Sequence, residues 1–121
     1  MNILVIDSDP TIQSVFDFIM SQRGYNVHVT DHLNNFHMQD KHMEPDVIFY
    51  DISNTSSNHL TTIKSYLKSH IDCIIIGLVD YSNSKIITQA YNQGLYGVIF
   101  KPFDVEEVVS VVEHIEQKVL A

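Results

Sequence analysis

Four short, continuous apolar runs constrain this chain of 121 residues more than any other feature: "NILVI" (2–6), "DVIFY" (46–50), "CIIIGLV" (73–79) and "YGVIF" (96–100). Each is rich in β-branched or aromatic residues and short, the pattern of parallel strands covered on both faces. A fifth run, "NVHVT" (26–30), alternates in character and so belongs nearer a sheet edge. Between the runs the apolar spacing becomes helical. Ile12, Val15, Phe16, Ile19 and Met20 form one stripe, with Asp9 as N-cap, Pro10 at the first helical position and Gly24 as the stop. Val105, Val108, Val109, Val112 and Val119 repeat the pattern after Asp104, with Glu107 as the capping-box partner. Leu60, Ile63 and Leu67 mark a third helix. Ile86, Ile87 and Ala90, closed by Gly94, mark a fourth, and a weaker pattern around Leu33 and Phe36 stands for the second. Five strands alternating with five helices predict one α/β domain over residues 1–121, an open parallel sheet with helices on both faces.

In such a sheet the working site lies outside the carboxyl ends of the strands. The residues there are Asp7 and Ser8 after the first strand, Asp51 after the third, Asp80 and Tyr81 after the fourth, and Lys101 and Pro102 after the fifth. Carboxylates gathered beside one lysine fit a hard-cation and phosphate site. A carboxylate there can also act as a nucleophile and form an aspartyl phosphate, with the lysine neutralising phosphoryl oxygens. A structural role is open to the same residues: an Asp after a strand is a common turn former, and Lys101 can close an ion-pair network with Asp7 and Asp51.

The stretches "ILVIDSDP", "PDVIFYD", "GLYGVIFKPF" and "DVEEV", in that order and spacing, resemble the receiver domain of bacterial two-component response regulators over nearly the whole chain. The resemblance implies a flavodoxin-like (βα)5 three-layer sandwich with strand order 2-1-3-4-5. It implies that Asp51 accepts a phosphoryl group from a sensor histidine kinase and that Lys101, before a cis Pro102, contacts that group. It places Asp7, Asp51 and the backbone carbonyl of Ser53 around Mg²⁺.

The same comparison exposes departures. Ser8 stands where the family has a second metal-binding acid, which removes one charge from the site and weakens Mg²⁺ binding. Asp9, next door, is expected to point away as the helix cap. Val79 replaces the Thr or Ser, and Val98 the Tyr or Phe, that move together in the family's switch. Without a group that interacts differently with the two states, phosphorylation has no usual means of shifting them. Asp80 takes the place of a small residue and narrows the path to Asp51, and the polar "SNTSSNH" (53–59) replaces the family's turn.

The expected function is therefore that of an atypical receiver whose phosphorylation switch is weakened or lost. It would act through protein contacts on the face of the fourth helix, fifth strand and fifth helix, where Tyr81, Tyr91 and Tyr96 are expected to gather. The alternative is a working Mg²⁺-dependent phosphoacceptor at Asp51. Partners would be a sensor histidine kinase or another signalling protein, and an output domain if the chain is part of a longer one. The fifth helix has no Arg, and Tyr96-Gly97 replaces an acidic pair, which argues against the charge-paired dimers of winged-helix regulators.

Composition narrows the field further. Fifteen Asp and Glu against seven Lys and Arg, net charge −8, repel phosphate backbones, so no direct nucleic-acid binding is expected. No stretch approaches the roughly 18 apolar residues of a membrane helix. The lone Cys73, with no signal-like N-terminus, points to a reducing cytoplasm, and Cys73 itself reads as a small core residue. His32, His37 and His42 recur every five residues, which does not stack them on a helix, and no zinc site is expected. No Gly-rich phosphate loop follows the first strand and no nucleophile–base set appears, so neither a nucleotide module nor an enzyme is expected.

Overall fold

Five parallel strands in the order β2-β1-β3-β4-β5 carry the described residues of the computed structural model, which are 1–31, 44–53, 57–81 and 84–120. The strands are β1 (Asn2–Ile6), β2 (Asn26–Thr30), β3 (Val47–Asp51), β4 (Ile74–Asp80) and β5 (Gly97–Lys101). The described helices are α1 (Pro10–Gln22), α2 (Ser57–Ser69), α3 (Ser84–Asn92) and α4 (Val105–Leu120). The helix expected around Leu33 and Phe36, and the histidines His32, His37 and His42, lie outside the described residues. The fourth and fifth helices of the sequence reading are α3 and α4.

Side-chain alternation along each strand divides the interior into two layers. Ile3 and Val5 of β1 and Leu78 of β4 face α1 and α4, meeting Phe16, Met20, Val108, Val112 and Ile115. Leu4, Ile6, Ile48 and Val79 face the other way, toward Ile63 and Tyr66 of α2 and Ala90 of α3. β1 and β3 are buried along almost their whole length, as their continuous apolar sequences require. β2 is an edge strand, in keeping with its alternating pattern.

Three expectations change. The run "YGVIF" predicts burial on both faces, yet β5 is the second edge and only Ile99 within it is buried, because a strand lies on one side alone. The apolar spacing puts Val105 and Val119 on the buried stripe of α4, yet they are 52% and 40% exposed, while Ile115 is fully buried. A 16-residue helix runs about 24 Å and a five-residue strand about 17 Å, so the ends of α4 overhang the sheet. Finally, residues 57–59 of the polar "SNTSSNH" segment form the first turn of α2 rather than loop.

Helix ends follow the sequence closely. The Asp9 carboxylate accepts the Thr11 N–H at 2.8 Å, with Pro10 opening α1. Gly24 and Gly94 hold φ of +82° and +110° just past α1 and α3, a conformation that favours glycine. At the start of α4 the Glu107 carboxylate accepts the Asp104 N–H at 3.4 Å.

Candidate functional site

Asp51, Asp80 and Lys101 are the last residues of their strands, not the residues after them, so ladder pairing fixes their backbones. Asp51 is registered with Leu78, and Asp80 with Lys101. Asp7 follows β1 and its N–H donates to Thr30 O at 3.0 Å. Three side chains from β1, β3 and β5 therefore converge at one end of the sheet.

Lys101 is the centre of that convergence. Its Nζ lies 2.5 Å from Asp7 Oδ2 and 3.5 Å from Asp51 Oδ2. The Lys101–Pro102 peptide is cis. Asp7 is the most deeply placed, its side chain 1% exposed, against 14% for Asp51 and 16% for Lys101. Burial pushes the Asp7 carboxyl above its ordinary value, and the Lys101 ammonium and the Asp9 N–H offset this only in part. For Lys101 burial acts downward, but the hydrogen bond to Asp7 and the charges of Asp51 and Asp7 outweigh it and hold the ammonium above its usual value. Lys101 therefore stays charged at neutral pH and neutralises one of the two carboxylates.

The remaining oxygens are also engaged. Asp7 Oδ1 accepts the Asp9 N–H at 2.9 Å, and Asp51 Oδ1 accepts the Ser53 N–H at 2.9 Å. Gln13 Nε2 donates to Asp7 O at 2.5 Å. Ser8 is exposed, and Asp9 points to Thr11 as the helix cap. No group of three His, Cys, Asp or Glu fit to hold a metal occurs among the described residues. For Mg²⁺, which favours carboxylate and water oxygens in near-octahedral array, the oxygens at hand are those of Asp7, Asp51 and the Ser53 carbonyl, with both carboxylates already hydrogen-bonded and the Lys101 ammonium between them.

Val79 is fully buried in the apolar layer under α2 and α3, and Val98 packs partly buried against the same layer. The end of β4 is held from beside Asp51. Ser53, itself buried, accepts the Asp80 N–H on Oγ at 3.0 Å and donates to Leu78 O at 3.4 Å. Asp80 is exposed at the mouth. No sequence spacing announces the Ser53 clamp, since its partners lie 25 and 27 residues away.

Tyr81 and Tyr96 lie at opposite ends of β5. Tyr81, 69% exposed, stacks on Phe100 at the carboxyl end of β5, with centroids 4.8 Å apart. Tyr96 precedes the amino end of β5, about 13 Å away along an extended strand. There its hydroxyl meets His114 Nε2 and Lys118 Nζ, each at 3.2 Å. Tyr91 is exposed on α3. Cys73 is half-buried just before β4, and burial pushes its thiol up to about 12.

The model of the response regulator receiver domain family matches residues 3–113. The chain belongs to that family. Among similar curated proteins, KdpE, a transcriptional regulatory protein of Staphylococcus aureus, is 30% identical over 95% of this chain and 49% of its own length. The DNA-binding transcriptional regulator NtrC of Proteus hauseri is 25% identical over 93% of this chain and 24% of its own length. The receiver thus spans between a quarter and a half of these relatives. The receiver domain of the TMAO respiratory regulator TorR superposes with a TM-score of 0.86 at 21% identity, covering 97% of both chains. A response regulator from Thermotoga maritima gives 0.84 at 18% identity, over 94% of this chain and 95% of its own. These structures share the flavodoxin-like fold and the 2-1-3-4-5 strand order.

Proposed function

We propose that this receiver carries a weakened or lost aspartate-phosphorylation switch and acts in two-component signalling through protein contacts on the face of α3, β5 and α4. The observation that carries this is the end of β4. The position from which a hydroxyl would couple to a phosphoryl group is a valine with no exposed surface, and Ser53 already clamps the adjacent Asp80 N–H. A phosphoryl group on Asp51 would find nothing there to pull, so its effect on the two conformations would be nearly equal. The half-neutralised acidic pair agrees with this, since Lys101 supplies in the resting protein part of the charge that a metal ion would bring. A location in the cytoplasm and a signalling protein as partner go with this assignment.

A second reading has its own support: the Asp51 carboxylate is 14% exposed and lies within reach of Lys101, the arrangement of a phosphoacceptor. Asp51 would then accept the phosphoryl group, with Mg²⁺ drawing on Asp7, Asp51 and the Ser53 carbonyl. The intact mass after incubation with a small acyl phosphate, with and without Mg²⁺ and beside Asp51→Asn, separates the two. A weak or absent gain is expected. A full Mg²⁺-dependent gain lost in the variant, with amide shifts spreading to α3, β5 and α4, would establish a working switch and overturn the first reading.

A further inference from the structure

Opposite charges line one cavity of this molecule without meeting. It opens at the amino ends of β4 and β5 and has a volume of about 570 Å³, within the range of small-molecule sites. Asp46 and Asp72 line it from the segments before β3 and β4, and Lys118 and Val119 from the last turn of α4. Among the described residues Arg23 and Lys101 hold the ion pairs, and none joins Lys118 to either acid.

The polar groups are held in place before any ligand arrives. The Asp46 N–H donates to Asn2 O at 2.8 Å and its carbonyl accepts the Ile74 N–H at 3.0 Å, so neighbouring strands fix it on both sides. Its Oδ2 accepts the Asn2 N–H at 2.8 Å, which leaves Oδ1 for another donor. Asp72 is exposed, and its carboxylate has no partner among the described residues. Lys118 donates to the Tyr96 hydroxyl at 3.2 Å and lies over its ring, 4.6 Å from the centroid. That contact positions the ammonium and uses one of its three N–H donors. Much of the remaining lining is apolar. Of seven large apolar or aromatic side chains left exposed among the described residues, three border this cavity: Ile71, Tyr96 and Val119. Ile71, at 81%, is the most exposed of the seven.

We infer that this cavity binds a small zwitterion with an apolar side chain, a free α-amino acid, with its ammonium on Asp46 and Asp72, its carboxylate on Lys118 and its side chain on Ile71 and Val119. An amine alone would leave the Lys118 donors unused. An acid alone would meet two carboxylates in a chain of net charge −8. A purely apolar occupant would cover three charged groups without pairing them, which is costly. The cavity and Asp51 lie at opposite ends of the sheet, about 17 Å apart along β3 from Asp46, so neither reading of the phosphorylation site enters.

The test is an amide-resolved titration of the ¹⁵N-labelled protein with L-leucine and L-phenylalanine, each taken to the limit of its solubility. Isoamylamine and 4-methylpentanoate, which are leucine without one or the other charge, run beside them. The amino acids are expected to shift the amides of Asp72, Ile74, Tyr96 and Lys118, with leucine binding about tenfold tighter than either singly charged analogue. Lys118→Gln should bring leucine down to the level of isoamylamine. Asp72→Asn should weaken leucine and isoamylamine together without weakening 4-methylpentanoate. Both positions are exposed, so the variants keep the fold, and their amide spectra verify this. Isoamylamine equal to leucine would mean that an acidic surface attracts any cation, and it would overturn the zwitterion; so would 4-methylpentanoate equal to leucine. Shifts confined to other surfaces, or none with either amino acid, would overturn the site itself.

Discussion

Replacing Lys101 by Met keeps most of the stem's volume and removes only the ammonium, so it isolates what that charge does. At an effective dielectric of about 20, charges 2.5 Å and 3.5 Å apart attract by about 7 and 5 kcal/mol before desolvation. Taking the ions out of water offsets most of this, and breaking a buried pair by deleting one member costs about 3–5 kcal/mol. Lys101→Met should therefore lose about 3–5 kcal/mol at about pH 8, because Asp7, 1% exposed, is left ionised beside Asp51. The sign with pH follows from Asp7. Its folded value already lies above the ordinary 3.8, and loss of the lysine raises it further, so the folded variant binds more protons than the unfolded chain between those two values. Its stability must rise as pH falls through that window, and Asp7→Asn/Lys101→Met should recover most of the loss at every pH. In the parent, the stabilisation from Lys101 is complete below its ordinary 10.5 and is lost as pH rises through its raised folded value. Urea denaturation at about pH 5 and about pH 8 measures the first three cases, and a series above about pH 10 the last. A loss below about 1 kcal/mol, or one equal at both pH values, would refute the buried-pair account.

Ser53→Ala should cost about 1–2 kcal/mol and speed hydrogen exchange at Asp80, whose N–H loses its acceptor; unchanged exchange there would remove the clamp from consideration. Val79→Thr should cost about 1–3 kcal/mol by urea denaturation, because it places a hydroxyl in an apolar layer, and a neutral result would mean that the hydroxyl finds a partner beside Asp51. Gly24→Ala and Gly94→Ala should each lose about 1–2 kcal/mol to backbone strain, with Gly94→Ala the worse because its Cβ would sit 2.6 Å from Leu67 Cδ1. Equal midpoints for the two glycine variants would mean that Leu67 yields without cost.

The layers were legible because continuous apolar runs and helical stripes are both dictated by burial, and burial is what a sequence encodes most directly. The cap at Asp9 and the stops at Gly24 and Gly94 were legible for a similar reason, each being a local backbone requirement. What the sequence did not show depends on lengths in space. Val105 and Val119 keep the helical period but overhang a shorter sheet. Tyr81 and Tyr96 sit on one face of the chain's plan, yet an extended strand parts them. The convergence of Asp7, Asp51 and Lys101 followed from strand ends, whereas the closer approach of Lys101 to Asp7 rests on about an ångström of side-chain reach. The family resemblance points to the Ser53 carbonyl, whereas it is the hydroxyl whose bonds hold the β4 end.

Asp7, just past β1, and Lys101, the last residue of β5, stand 94 residues apart in the chain. A contact of that span closes late, after the strands between have paired, because joining distant segments early carries a large loop entropy. Interactions absent from the transition state govern how fast a protein opens rather than how fast it forms. Lys101 would then set the lifetime of the folded receiver, and removing its charge would shorten that lifetime while leaving the rate of refolding nearly as it was.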